Sequence, residues 1–318
     1  MKGFFKSVLA TVVGIVVFLI IAGIFGVMSI VGMVASGQAT QTVKDGSILV
    51  LNLSGVIEEQ GQDDIIGKLT GSYSSTTGLN NILTAIGKAK DNPNIKGIYI
   101  EAGVLSASYA TLQEIRGALE QFRKGGKWIV SYADSYSQGA YYVSSAANKV
   151  YINPQGMLEW HGIGTQPIFY KDLLAKFGVK FQVVKVGTFK SATETYTEEH
   201  MSDANRLQTQ TFVGGMWNNV CQAVSKSRGI SVDSLNSYAD QMTEFQPTDL
   251  YIKRKMVDGV MYADKVKDEV KKMLNIAADE HISQLSVSDM LNVKDDTQAS
   301  GDEIAIYYAS GDIVQSAN

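Results

Sequence analysis

The sequence is poor in the residues that build disulfides and metal sites. Cys221 is the single cysteine, so no intrachain disulfide can form and no cysteine-based metal framework exists. His161, His200 and His281 are scattered, with no HExxH or paired spacing, so no zinc site is expected. A formal net charge of −4 supplies no basic field, which sets aside nucleic acid as a partner. "GIGTQP" (162–167) lacks the Gly-Lys-Ser/Thr ending of a phosphate loop, and no other motif implies a cofactor.

What the chain does have is a long apolar run. From Val8 to Ala35 no residue is charged. A membrane span needs about 20 apolar residues, whereas a signal-peptide core has about 7–15. The run therefore reads as an uncleaved transmembrane anchor over 8–35, inserted in the lipid bilayer. Lys2 and Lys6 precede it and the next charge is Lys44. The positive-inside bias places residues 1–7 in the cytoplasm and the rest of the chain across the membrane. The competing reading is a long cleaved signal sequence cut at "VASGQA".

Residues 36–46 form a polar linker, and β and α patterns then alternate. "SILVLNLSG" (47–55), "IKGIYIEA", "WIVSYA", "KVYIN" and "KFQVVKV" (180–186) have strand character. Leu79, Ile82, Leu83 and Ile86 form one helical stripe, and Leu112, Ile115, Leu119 and Phe122 another, stopped by Gly125-Gly126. "GAYYVSSAA" and "IFYKDLLAKFG" read as helices. Ser202 caps a long helix to about Lys226, Ser231 caps another, and two more run to about Leu274. The alternation predicts an α/β core with a helix-rich second half.

The end of the chain repeats its beginning. "EIAIYYASGDI" (303–313) resembles "SILVLNLSGVI" (47–57), and "VKDDTQASGD" (293–302) before it has the composition of a linker. A strand opening at a terminus has little to pair with unless more chain follows. The expectation is a first homologous domain over 47–292 and the first strand of a second over 303–318.

"VGTFKSATE" (186–194) is the stretch with the most chemical interest. Gly187 ends the strand pattern, and Ser191 and Glu194 have capping-box spacing, which makes Ser191 a candidate N-cap. Lys190 would then sit at the positive end of a helix dipole, where an ammonium is disfavoured, as it is by burial. Both effects favour the neutral form that a general base requires. Spacing alone favours the plainer alternative, a solvated lysine. A lysine base serves a serine nucleophile in Ser–Lys peptidases, and Ser135, Ser137, Ser144 and Ser145 lie in "SYADSYSQGAYYVSS" (131–145). No GxSxG elbow marks any of them. The carboxylates Glu194, Glu198 and Glu199, and the Glu159-Trp160-His161 run, are weaker candidates.

"YSQGAYYVSSAANKVYINPQG" (136–156), "HGIG" (161–164), "VGTFKSATE" and "MSDANR" (201–206) together resemble the N-terminal half of the long, two-domain signal peptide peptidase A (protease IV) family. The resemblance covers the chain from the anchor onward. It implies a crotonase-like, ClpP-like spiral of ββα units with peripheral helices. It implies a homotetramer on the outer face of the bacterial cytoplasmic membrane, degrading signal peptides left there after secretion. It implies a Ser–Lys dyad split between halves, with the general base at Lys190 and the serine in a Ser-Gly-Gly stretch of the second half. The corresponding stretch here is Gln138-Gly139-Ala140-Tyr141-Tyr142. The nucleophile position is therefore Gln138, and Ser137 is one residue out of place. The chain supplies a base without a matching nucleophile or its adjacent oxyanion donor, and by itself should be inactive. The alternative is a non-catalytic, membrane-anchored crotonase-like scaffold that organises partners by oligomerising. A crotonase acting on coenzyme A thioesters is a distant third, since it belongs in the cytoplasm.

Overall fold

A computed structural model describes residues 2–37, 40–61, 76–294 and 304–309. The first element is helix α1, Lys2–Gly37. Its Lys6–Gly26 portion has a mean hydropathy of 3.0 and no buried residue, and it is long and apolar enough to cross a membrane. The helix extends beyond the anchor bounds expected from apolarity, because helical geometry does not stop where the apolar run does.

The rest is built on a parallel sheet. Its strands are β1 (Ser47–Glu58), β2 (Thr77–Gly78), β3 (Ile95–Ser106), β4 (Trp128–Ala133), β5 (Lys149–Ile152), β6 (Gly259–Val260) and β7 (Gln284–Leu285). The order is β2-β1-β3-β4-β5-β6, with β7 also paired to β1. Parallel neighbours need crossover connections. Helices α2 (Leu79–Asp91), α3 (Tyr109–Lys124) and α4 (Gln138–Ser144) supply those between β2 and β5.

Alternation along the strands explains why both faces are covered. Leu49, Leu51 and Leu53 of β1, Ile129 and Ala133 of β4, and Val150 and Ile152 of β5 point into the main core. There they meet Ile82 and Ile86 of α2 and Leu112, Ile115, Leu119 and Phe122 of α3. Ile48, Val130, Tyr132 and Tyr151 point the other way, onto Val266 and Val270 of a later helix. Gly97 lies opposite Trp128 in the β3–β4 register. A Cβ there would come within 2.4 Å of the indole, so only glycine lets that ring lie over the strand.

Beyond β5 come α5 (Lys171–Lys176), α6 (Glu194–Thr197), α7 (Asp203–Arg228), α8 (Val232–Asp240), α9 (Thr248–Lys253), α10 (Ala263–Leu274) and α11 (Val287–Leu291). Ser202 and Ser231 cap α7 and α8 as expected, accepting from Asn205 N and Ser234 N. Only Val220, Cys221 and Val224 of α7 are buried, so its first half projects from the domain.

Two local expectations are corrected. Residues 180–186 form no strand. Val184 and Val186 are almost fully exposed, and no neighbouring strand among the described residues offers the hydrogen bonds a strand requires. The helix expected over "IFYKDLLAKFG" shrinks to α5, which buries no residue, so no packing against the domain extends it. Residues 304–309 carry no strand pairing, and the remainder of the expected strand at 303–313 lies outside the described residues.

Candidate active site

The chain end of β4 and the start of α4 hold the Gln138 position. Tyr136 is fully buried, and its hydroxyl lies 2.9 Å from Ser131 Oγ and donates to Tyr151 O at 3.1 Å. Its backbone pairs with the segment after β5: Tyr136 N donates to Met157 O (2.8 Å) and Glu159 N to Tyr136 O (2.9 Å). This pairing carries residues 157–162 past the N-terminus of α4. Trp160 then plugs into the core, donating from Nε1 to Leu235 O at 2.8 Å and lying against Tyr141 and Trp217.

Gln138 is 5% exposed and uses its whole polar capacity. Nε2 donates to Tyr109 Oη (2.8 Å) and Gly162 O (3.0 Å). Oε1 accepts from His161 N (3.0 Å) and Gly162 N (2.9 Å). An amide has two donors and an oxygen with two lone pairs, so nothing is left over. Two converging backbone N–H groups on one oxygen are the geometry that stabilises an oxyanion. Here the protein's own side chain fills it.

Three of the four candidate serines are likewise hydrogen-bonded within the fold. Ser137 caps α4, accepting from Ala140 N (3.4 Å) and Leu105 N (3.3 Å) and donating to Gly103 O (3.3 Å). Ser135 accepts from Met157 N (3.0 Å). Ser145 donates to Tyr142 O (2.9 Å) and accepts from Arg116. Ser144 is wholly buried, and its Oγ is without a partner among the described residues. Among the described residues none of these hydroxyls is hydrogen-bonded to a lysine. Glu159 is a second cap of α4, accepting from Gln138 N (3.2 Å), so the Glu159-Trp160-His161 run is held to the start of that helix.

Lys190 lies elsewhere, on an arm that leaves the domain after Gly162, whose φ of +87° favours glycine. Among the described residues no hydrogen bond ties 163–190 to the sheet. The arm is held together by its own aromatic side chains, with Phe181 stacked on Tyr196 at 4.9 Å and Tyr170 behind it. Ile168, Leu173, Phe177, Phe189 and Val186 are exposed along it. Lys190 is exposed, and its ammonium has no protein partner among the described residues.

The capping box expected at Ser191 is not formed. Thr193 holds the N-cap position of α6 without a side-chain bond. Ser191 Oγ instead accepts from Gln208 of α7. Glu194 turns outward to α7, accepting from Ser202 Oγ (2.7 Å), Ser202 N (3.2 Å) and Asn205 Nδ2 (2.9 Å). Burial opposes its charge, but these hydrogen bonds outweigh burial and hold its carboxyl below the usual glutamate range. Glu199 pairs with Lys171 at 3.1 Å on the surface, and Glu198 joins no ion pair among the described residues. A groove of about 340 Å³ runs between Ile163–Thr165 and α7, lined also by Met201, Arg206 and Val213.

Residues 121–277 match the model of "Peptidase family S49". The chain is 31% identical over 322 residues to "Protease 4" of Salmonella typhi, covering 94% of this chain and 50% of that protein. It is 31% identical over 221 residues to "Protease 4" of Haemophilus influenzae, covering 67% of this chain and 36% of that protein. With "Serine protease SPPA, chloroplastic" of Arabidopsis thaliana it shares 25% identity over 277 residues, or 86% and 39% of the two chains. The chain thus spans half or less of the length of these relatives. Matched in sequence across the sheet, the Gln138 corner and the arm, the chain is a protease-4-like member of peptidase family S49.

Proposed function

We propose that this chain is the base-carrying half of a membrane-anchored Ser–Lys endopeptidase. Lys190 takes the proton from a serine in a second homologous half and returns it to the leaving amine. Residues 47–292 form the first half, 293–302 the linker, and 303–318 the opening of the second. The observation that carries this reading is the contrast between two positions. Gln138, where a nucleophile would stand, is buried and fully hydrogen-bonded, whereas Lys190 is exposed with no partner among the described residues. The relatives, about twice as long, have room for a second half.

A lysine acts as base in its neutral form, and dry surroundings favour that form. Whatever covers the arm supplies them. The exposed apolar side chains of the arm are suited to burial against a second half and against further copies, in keeping with a homotetramer. The groove beside Ile163 and Val213 suits an extended apolar peptide, and α1 keeps it near the bilayer. The substrates that fit are signal peptides left in the membrane. The chain lies in the bacterial inner membrane, with its N-terminus in the cytoplasm and its soluble domain outside.

The test is Lys190→Ala in the full-length protein. It should abolish labelling by a serine-directed fluorophosphonate and turnover of an apolar peptide. Labelling and turnover at the wild-type rate would refute Lys190 as the base.

A further inference from the structure

Gln138 is too completely bonded to be only a lost nucleophile. Four hydrogen bonds leave its amide, and three of them end on two consecutive residues, His161 and Gly162. Those residues are the last of the chain held to the sheet domain before the arm. The next 28 residues, 163–190, make no hydrogen bond to the sheet among the described residues. The direction in which the arm departs is therefore set at its root. Gly162 turns with φ +87°, and the Gln138 amide fixes both the N–H and the C=O of that peptide segment. The far end is fixed separately, by Ser191 Oγ accepting from Gln208 of α7 and by Glu194 on that helix's first turn. Lys190 lies between these two ties.

We propose that Gln138 is a positioning residue: its amide clamps His161 and Gly162, and through the root of the arm it sets where Lys190 stands. This rests on the reading of Lys190 as the base. The side chain at the vacated nucleophile position thus acts on the reaction from a distance. Tyr109 is the fourth member of the clamp, since its hydroxyl takes the remaining amide proton. Buried amide bonds of this kind are costly to leave unmade, which makes the clamp a rigid one.

The experiment uses the full-length protein with Gln138→Met, which keeps the length of the side chain and removes all four bonds. Tyr109→Phe, which removes one, is the milder companion should Gln138→Met not fold. Misplacing a reacting group by about 1 Å costs on the order of a hundredfold in rate. Gln138→Met should therefore lower kcat by at least about tenfold. Its KM should stay within about twofold, as expected when only the transition state is affected. The pH profile of kcat should change. Hydrogen exchange should quicken at the His161 and Gly162 amides and along 163–190. Tyr109→Phe should move the same readouts in the same direction by a smaller factor. Wild-type kcat, pH profile and exchange in either folded variant would overturn the proposal. Lys190→Ala, measured alongside, separates the two ideas. If Lys190→Ala is inactive and Gln138→Met is unchanged, the clamp is wrong and the base stands. If Lys190→Ala stays active, the base is wrong, and a lower kcat in Gln138→Met then overturns positioning through Lys190.

Discussion

Arg116 offers a test in which the conservative substitution should do more harm than the radical one. Its side chain is 3% exposed and joins three helices. From α3 it donates to Tyr142 O and Ser145 Oγ (2.7 Å) of α4, and to Ala223 O and Ser227 Oγ (both 2.9 Å) of α7. Glu120, one turn on, lies 3.3 Å from Nε. Burial pulls the guanidinium below its ordinary value, but arginine remains charged. Lysine in its place keeps the buried charge, yet has three donors and no planar fork to span α4 and α7. At least two charge-assisted bonds are lost, each worth about 1.5 kcal/mol or more, so Arg116→Lys should cost about 3 kcal/mol. Arg116→Met loses all four bonds but also relieves the cost of burying an ion, which is several kcal/mol. The hydroxyls of Ser145 and Ser227 keep local acceptors in Tyr142 O and Val224 O. The net cost of Arg116→Met should be about 1–2 kcal/mol. Urea unfolding in detergent, followed by tryptophan fluorescence, reads this directly, because Trp217 of α7 sits 4.9 Å from Trp160. Arg116→Lys within about 0.5 kcal/mol of wild type, or less harmful than Arg116→Met, would refute the reasoning.

Two further outcomes follow from the same packing. Glu194 has a lowered folded value, so its contribution is complete above the ordinary glutamate range and is lost as pH falls through that lowered value. Glu194→Gln should therefore destabilise α7 docking at about pH 7, by an amount that shrinks as pH falls below the ordinary glutamate range; a difference independent of pH would count against the carboxylate. Burial pushes the Cys221 thiol up to about 12, so an alkylating agent should label it only after unfolding. Labelling of the native protein at the rate of a free thiol would contradict the packing of α7.

The sheet and its covering helices were legible because their residues repeat with the periods of strand and helix. The stripe of Leu112, Ile115, Leu119 and Phe122 is buried throughout, and Ser202 and Ser231 cap the helices expected of them. Where the pattern misled, the cause was a missing neighbour. "KFQVVKV" has the composition of a strand, but composition supplies no partner for its backbone. The Ser191–Glu194 spacing fits a capping box, yet Glu194 finds Ser202 and Asn205 of α7, which offer three hydrogen bonds in place of one. At the site, the sequence marked Gln138 as a departure from a nucleophile. Its grip on His161 and Gly162 depends on a chain return of more than twenty residues, which no local spacing encodes. The nearest signal was that "SQG" (137–139) and "HGIG" (161–164) both belong to the stretches that carry the family resemblance.

The pairing of β7 with β1 has a consequence in time. Ser47 and Ser283, at the opening of the two strands, are hydrogen-bonded across 236 positions of sequence. Gln41 N likewise donates to Asn292 O at 3.1 Å, and Lys88 Nζ to Val293 O at 2.8 Å. The first strand made is thus closed by nearly the last. At roughly 5–20 residues per second, synthesis leaves the beginning of β1 without β7 for roughly 10–50 seconds. During that interval Ile48 and Leu49 present an open edge, the kind of surface on which unfinished chains associate. A newborn chain must keep that edge apart from its neighbours until β7 has emerged.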